Sequence, residues 1–325
     1  MSEILVYSPN HIGDVCMAMG PVLRKIQENK KLIILSNKIV AHIWRLHSDT
    51  ADRVVVIDNK HCNPFSKRSL ALRGRNISQA FLLSPSFRAA WVAKSVGAKK
   101  VIGEPSDYRW PLITEARRLD EFKKTGAHRQ EEYSYILGVE GKTSFDLDRL
   151  PQDHPQIDED TADLDKLVGI FPGSARGPSK QWPKEHFANL IQLLRTRYGL
   201  TSVIFGGPED IELGENIKKM AGLPCYNMCG RTTLPHLAAL LAKMEVVVGN
   251  DSGGVHLASI VGTAVVSIFG LTDPKKTRPV GEKVAAVESK ANKSEEIKEV
   301  SAESARALES IAPSKVVEEA AKLLH

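Results

Sequence analysis

The stretch from Glu245 to Gly270, EVVVGNDSGGVHLASIVGTAVVSIFG, decides how the rest of the chain is read. Glu245 to Gly249 is a short β-branched run of the kind that forms a buried strand. Asn250-Asp251-Ser252-Gly253-Gly254 is a polar turn with two glycines. A helix is expected from His256 to Ile260 and a second buried strand from Ala264 to Phe269. A strand that delivers an acid, a hydroxyl and two glycines to a helix N-terminus suits an anion. Backbone N–H groups and the helix dipole point at the bound group, and glycines let the backbone come close. The same residues also suit an ordinary βα turn in which Asp251 or Ser252 caps the helix.

Upstream of that stretch the pattern repeats. Leu167 to Phe171 is a strand, followed by Pro172-Gly173-Ser174 and a long loop through Lys180, Trp182 and Pro183. Lys184 to Tyr198 is a helix. Ser202 to Phe205 is a strand that exits into Gly206-Gly207-Pro208-Glu209-Asp210, and Ile211 to Met220 is a helix. Tyr226 to Met228 is a short strand, and Thr233 caps a helix from Leu234 to Lys243. Downstream, Val284 to Val287 is a last strand. Two terminal helices, Glu295 to Ser310 and Ser314 to Leu324, close the chain, the second begun by Pro313.

Three glycine-rich loops therefore leave strands at one sheet edge and enter helices. Together they suit one extended ligand. Lys180 supplies a point charge for a phosphate. Ser174, Ser252 and the N–H groups of Gly253 and Gly254 supply donors. Glu209 or Asp210 can accept from ribose hydroxyls. That set reads as a nucleotide diphosphate site. GxxxxGK[ST] and GxGxxG are both absent, which argues against a P-loop NTPase and a dinucleotide fingerprint. His256 reads as a packing or hydrogen-bonding residue, and Trp182 as support for the Lys180 loop.

The first half is a second α/β series. Ile4 to Tyr7 is a strand, and Ser8-Pro9-Asn10-His11-Ile12-Gly13-Asp14 leads into a helix from Val15 to about Glu28. Strands follow at Leu32–Leu35, Val54–Ile57, Ala80–Leu83 and Lys100–Ile102, with helices at Phe87–Val96 and Glu131–Leu137. In open α/β sheets ligands bind beyond the carboxyl ends of strands, so Asp14 either caps a helix or does chemistry. His11 lies near it. The segment from Cys62 to Asn76 carries Lys67, Arg68, Arg73 and Arg75, and Tyr108-Arg109-Trp110 is a second basic-aromatic spot. Gly141 to Asp165 breaks the pattern and reads as a linker. The expected domains are residues 1–155 and 156–325, doubly wound, with a cleft between them; the last helices are free to pack back on the first domain.

Size and composition agree. At 325 residues, 42% hydrophobic and 26% charged, the chain is an ordinary globular protein of two domains. Residues 1–28 lack a basic segment followed by a long apolar run, so no signal peptide is expected, and no apolar run approaches the ~18 residues of a membrane span. Cys16, Cys62, Cys225 and Cys229 form no paired metal framework and read as free thiols of a reducing cytoplasm. Residues 1–155 carry 24 Lys and Arg against 17 Asp and Glu; the remainder carry 20 against 22. A basic first half suits an anionic partner or is simply solvated surface. With aromatics at 6% and the basic residues dispersed, a nucleic-acid binder is not expected.

Three segments carry a family resemblance. SPNHIGDVCMAMGP (Ser8 to Pro21), FPGSARGPSKQWPKEHF (Phe171 to Phe187) and NDSGGVHLA (Asn250 to Ala258) resemble the ADP-heptose:lipopolysaccharide heptosyltransferases of glycosyltransferase family 9, closest to the heptosyltransferase II branch. The likeness spans nearly the whole chain. It implies a GT-B fold of two facing Rossmann-like domains, with acceptor on the first and sugar nucleotide on the second. It implies inverting, metal-independent transfer of heptose from ADP-heptose to the lipopolysaccharide inner core, with no cofactor. By the resemblance Asp14 is the general base, Lys180 meets the diphosphate, and Asp251 holds the sugar nucleotide near its diphosphate and heptose. Ser252, Gly253 and Gly254 form the phosphate turn, and Glu209 approximately matches a ribose contact. His11, Arg73, Arg88 and Arg109 are the candidates for the anionic glycolipid acceptor. A cytoplasmic monomer, peripheral to the inner face of the cytoplasmic membrane, is expected. The chain departs from the branch at Gly254-Val255-His256 and at Ala307-Leu308, positions that bear on the particular acceptor and sugar. A member using another sugar or acceptor, a GT-B-shaped sugar-nucleotide epimerase and a non-catalytic nucleotide-sugar binder are the alternatives.

Overall fold

The structure, a computed structural model, describes residues 2–57, 72–106, 108–141, 143–153, 155, 166–174, 177–291 and 302–324. Lys67 and Arg68 lie outside them, as does most of the acidic part of the linker. The chain forms two compact units, Met1–Arg149 and Leu150–His325.

The first unit runs β1 (Glu3–Tyr7), α1 (Ile12–Glu28), β2 (Leu32–Asn37), the one-turn helices α2 (Ala41–Trp44) and α3 (Ser48–Ala51), and β3 (Val54–Ile57). It continues through β4 (Ile77–Leu82), α4 (Phe87–Ser95), β5 (Lys100–Gly103), a 3-10 turn at Trp110–Leu112, β6 (Glu115–Ala116), α5 (Asp120–Thr125) and α6 (Arg129–Leu137). The strands form a parallel sheet in the order β3-β2-β1-β4-β5-β6. The second unit runs β7 (Leu167–Phe171), a 3-10 turn at Gly177–Lys180, α7 (Lys184–Tyr198), β8 (Thr201–Ile204), a 3-10 turn at Pro208–Asp210, α8 (Ile211–Ala221) and β9 (Cys225–Asn227). Then come α9 (Leu234–Leu241), β10 (Val246–Asn250), α10 (Gly253–Ile260), β11 (Ala264–Phe269), α11 (Pro274–Thr277), β12 (Val284–Glu288), α12 (Ala302–Glu309) and α13 (Pro313–Leu323). Its sheet order is β12-β11-β10-β7-β8-β9.

Both sheets are wholly parallel and carry helices on their faces, so their central strands are apolar throughout. Every residue of β7 (LVGIF) and of β11 (AVVSIF) is buried, as a sheet covered on both sides requires. In the first unit Leu5, Ile33, Leu35, Ala80 and Val101 form a core with Ala89, Val92 and Ala93 of α4. In the second, Val168, Ile170, Val248 and Val266 pack with Phe187, Leu190 and Leu194 of α7 and Val316 and Val317 of α13. The α7 helix stops at Gly199, whose φ of 70° closes its last carbonyls in a left-handed cap. The Thr233 side chain accepts from the His236 N–H and caps α9.

In each sheet the first strand of its unit sits centrally, and the chain reverses direction across the sheet beside it. β1 pairs with both β2 and β4; β7 pairs with both β8 and β10. These are the topological switch points, where loops at the carboxyl ends diverge and leave room for a ligand. Asp14 follows β1, and Lys180 and Asp251 follow β7 and β10.

Two helices start earlier than the sequence suggests. α1 begins at Ile12, so Gly13 and Asp14 lie in its first turn. α10 begins at Gly253, so both glycines of the turn are helical. Gly254 is small for a packing reason: a Cβ there would lie 2.2 Å from Cε1 of Phe171. The short elements α2, α3, β6 and α5 lack a long enough apolar period to be read in advance.

Candidate active site

At the second unit's switch point the Asp251 side chain is 8% exposed and that of Lys180 13%. Lys180 Nζ donates to Asp251 Oδ2 in a buried ion pair. Thr272 Oγ1, from the loop after β11, lies 3.4 Å from the same oxygen. His256 Nε2 faces Asp251 Oδ1 at 3.9 Å, beyond hydrogen-bond length. The His256 Nδ1 is buried with no hydrogen-bond partner among the described residues. Burial alone would raise the Asp251 carboxyl above its ordinary value, but the His256 imidazole and Lys180 ammonium outweigh it and hold the group low. Asp251 is therefore an anion at neutral pH.

Asn250 organises the loops around this pair. Its side chain is fully buried; Oδ1 accepts from the Trp182 N–H at 3.0 Å, and Nδ2 donates to the Pro172 carbonyl at 2.7 Å. One amide thus ties the exit of β7 and the segment after Lys180 to the end of β10. Trp182, 2% exposed, rests against Phe187 and donates its indole N–H to the Ile311 carbonyl at 3.0 Å. The expectation that Trp182 supports the Lys180 loop holds, and the support extends to the turn before α13.

Ser252 precedes α10 in extended conformation, and its own side chain makes no capping hydrogen bond. Its first N–H groups, those of Gly253 and Gly254 among them, have no intrahelical acceptor and carry the positive end of the helix dipole. Ser174 is half-buried just after β7, and its carbonyl accepts from the Gly177 N–H at 2.9 Å. Glu209 is exposed. Asp210 instead turns inward: its Oδ2 accepts from the Gly207 N–H at 3.0 Å, and its carboxyl occupies the space where Gly173 and Gly206 lack a Cβ. Burial raises its pKa. Of the two acids, Asp210 is turned into the loop, while Glu209 is exposed with its carboxyl folded over Gly207.

In the first unit Asp14 is partly exposed in the first turn of α1. Its Oδ1 accepts a hydrogen bond from Tyr133 Oη, 3.0 Å away. Tyr133 is buried on α6, and burial, with the negative charge of Asp14, pushes its phenol well above the usual tyrosine range. It stays protonated and donates. Tyr133 and Thr272 are the polar site neighbours that sequence reading missed. Tyr133 lies in the expected helix Glu131–Leu137, where nothing local marks a partner 119 residues away; Thr272 is a hydroxyl at a strand exit, which was a usable signal.

His11 is the exposed N-cap position of α1 and makes no side-chain cap. Arg88 is exposed in the first turn of α4. Arg73 is on the surface, with Nε donating to the Ser95 carbonyl at 3.2 Å. Arg109 is 1% exposed; its Nη1 donates to the Ser84 carbonyl at 2.6 Å and its Nε to the Glu104 carbonyl at 2.7 Å. Ser84 Oγ also accepts from Asn10 Nδ2 at 3.3 Å. The loops after β1, β4 and β5 are joined through Ser84.

Cys16, Cys225 and Cys229 are free and buried. Burial pushes the thiols of Cys225 and Cys229 up to about 12 and that of Cys16 higher still, so none is a thiolate nucleophile. No group of metal-ligating side chains occurs among the described residues, and no described helix is long and apolar enough to cross a membrane.

Two doubly wound parallel sheets, one carrying a carboxylate and the other a lysine–aspartate pair beneath a helix N-terminus, define a two-domain α/β enzyme of GT-B fold. The chain belongs to glycosyltransferase family 9, the heptosyltransferases, whose family model matches residues 67–306. The lipopolysaccharide heptosyltransferase 2 of Escherichia coli K12 is 26% identical over 311 residues, covering 88% of this chain and 87% of the relative. The structure of E. coli ADP-heptose lps heptosyltransferase II aligns with a TM-score of 0.77 at 24% identity, over 99% of this chain and 98% of that one. E. coli heptosyltransferase WaaC, solved with ADP, aligns with a TM-score of 0.72 at 16% identity, over 99% of each chain.

Proposed function

We propose that this glycosyltransferase moves heptose from ADP-heptose to the inner core of lipopolysaccharide, inverting the anomeric centre without a metal ion. The observation that carries the reading is the buried Lys180–Asp251 pair below the open N-terminus of α10. Lysine and helix end together form a site for a diphosphate, and Asp251 is an ionised acceptor for donor hydroxyls beside it. Family membership and the likeness to lipopolysaccharide heptosyltransferase 2 support the sugar and the acceptor class.

In this mechanism the acceptor hydroxyl attacks the anomeric carbon from the face opposite the diphosphate. The C–O bond to ADP breaks, and ADP leaves with the electron pair. The hydroxyl proton passes to the Asp14 carboxylate, a step that general-base catalysis accelerates roughly 10²–10⁴-fold. Lys180 and the first N–H groups of α10 meet the charge that grows on the leaving diphosphate, the task a divalent cation performs elsewhere. Ser174 and Ser252 add hydroxyl donors, and Glu209 accepts from the ribose. His11 and Arg88 meet the anionic acceptor, and Arg109 acts by bracing the loops after β1, β4 and β5; Arg73, which precedes β4 and bonds to Ser95 at the end of α4, stands at the opposite edge of the sheet and takes no part. The enzyme works as a monomer at the cytoplasmic face of the inner membrane, drawn there by its basic first half.

The test is a mass-spectrometric transfer assay with ADP-heptose and Kdo-containing core acceptors, with and without the first heptose, in the presence and absence of EDTA. Addition of one heptose, undiminished by EDTA, is expected. Consumption of donor without acceptor would identify an epimerase, and turnover only with another nucleotide sugar would reassign the donor.

A further inference from the structure

Four large aromatic side chains stand in solvent on two adjoining segments of the first unit. Phe87 is 44% exposed and Trp91 50% on α4, while Tyr108 is 90% and Trp110 68% exposed at the 3-10 turn after β5. Phe87 and Trp91 meet edge to face with ring centroids 6.0 Å apart, and the 3-10 turn packs against α4. Tyr108 has φ 57°, a left-handed conformation that non-glycine residues avoid and that points to a functional constraint. Contiguous exposed apolar surface of this kind marks an interaction site rather than ordinary surface.

We propose that Phe87, Trp91, Tyr108 and Trp110 form a docking surface for an anionic lipid bilayer. Three of the four have rings with a polar N–H or O–H, the side chains that settle at the boundary between headgroups and hydrocarbon. Arg88 is exposed between Phe87 and Trp91 on α4, and residues 1–155 carry 24 Lys and Arg against 17 Asp and Glu, a surplus that attracts a negatively charged leaflet. The patch also adjoins the acceptor loops. Arg109, between Tyr108 and Trp110, donates to the carbonyl of Ser84, whose hydroxyl accepts from Asn10 in the loop leading to Asp14. A bilayer resting on the aromatics holds a lipid-borne acceptor beside that loop. The inference rests on the reading that the acceptor is a glycolipid, and it adds the surface by which the enzyme reaches it.

The test uses the full-length protein and vesicles of phosphatidylcholine, alone and mixed with phosphatidylglycerol. Wild type is expected to sediment with the anionic vesicles, and brominated lipids should quench its tryptophan fluorescence. Trp91→Ala combined with Trp110→Ala should lower the partition coefficient by about tenfold or more, as loss of inserted aromatic area predicts. Tyr108→Ser alone gives a smaller loss and serves as a second variant. Circular dichroism and thermal melting check that each variant is folded. Turnover of a water-soluble, deacylated acceptor should stay at the wild-type level, while turnover of vesicle-borne acceptor falls. Vesicle binding that survives the aromatic substitutions overturns the proposal, as does absence of wild-type binding. Equal loss on the soluble acceptor also overturns it, because the aromatics would then be holding glycan. If wild type binds vesicles through this patch yet transfers nothing to either acceptor, the docking surface stands and the proposed reaction fails.

Discussion

Tyr133 Oη donates to Asp14 Oδ1 across 3.0 Å, joining residues 119 positions apart. The phenol is buried and protonated, so the bond has one direction. It turns one carboxylate oxygen toward α6 and leaves the other for a substrate. Tyr133→Phe keeps the packing and removes the bond. A neutral hydrogen bond contributes about 0.5–1.5 kcal/mol, and one to a charged group somewhat more, so kcat should fall roughly 3- to 30-fold. Donor KM should be unchanged, since Tyr133 lies in the other unit from the donor loops. An effect confined to KM, with kcat unchanged, would remove Tyr133 from the positioning of the base.

Asp14→Asn tests the base itself. The amide keeps an oxygen for Tyr133 but takes no proton. Transfer is expected to drop roughly 10²–10⁴-fold, while ADP affinity measured by calorimetry and the thermal midpoint remain near wild type. Turnover close to normal in this variant would assign the proton to another group.

The Lys180–Asp251 pair couples binding to stability. Lys180→Ala should weaken ADP binding by about 10–100-fold, the worth of a charge-assisted contact. It also leaves a buried carboxylate without its cation, which costs about 3–5 kcal/mol in stability. Adding Asp251→Ala should therefore recover part of the lost stability but none of the affinity. Urea titrations separate the two effects.

The pair also has a pH signature. The Asp251 carboxyl titrates below its ordinary value of 3.8 in the fold. The unfolded chain takes up that proton first as pH falls. The stabilisation is thus complete above the ordinary value and disappears as pH drops through the lower folded value. Urea unfolding of wild type and Asp251→Asn should differ most near neutrality and converge in acid. A difference that grows with acidification would reverse the sign of the coupling.

Gly254 distinguishes packing from ligand approach. Alanine favours a helix over glycine by about 1 kcal/mol. Here its Cβ would strike the Phe171 ring, 2.2 Å away, in a strand whose aromatic stacks on Phe205 at 5.6 Å. Overpacking typically costs about 1–3 kcal/mol and so outweighs propensity. Gly254→Ala should lower the melting temperature and weaken ADP binding together. Pairing it with Phe171→Leu should relieve part of the clash, and a single variant as stable as wild type would show that the ring moves aside at no cost.

The amino-acid sequence alone determined the double α/β layout and most element positions. β7, β11 and α7 occupy the bounds expected from their residues: Leu167–Phe171, Ala264–Phe269 and Lys184–Tyr198. A strand buried on both faces must be apolar at every position, and an amphipathic helix ending in glycine carries its own stop; both signals are local. The ordered motifs around Asp14, Lys180 and Asp251 were local too. Tertiary structure decided what those residues touch. Tyr133 reaches Asp14 from another helix, Asn250 pins the backbones of Pro172 and Trp182, and Asp210 is spent inside its own loop. The turn at Asn250–Gly254 read equally as a cap or an anion site. Folding removed the cap by starting the helix at Gly253 without a capping bond from Ser252, and it explained Gly254 by the Phe171 ring. Such contacts are set by sheet order and by which loops emerge side by side, and residues far apart in sequence carry no periodic trace of them.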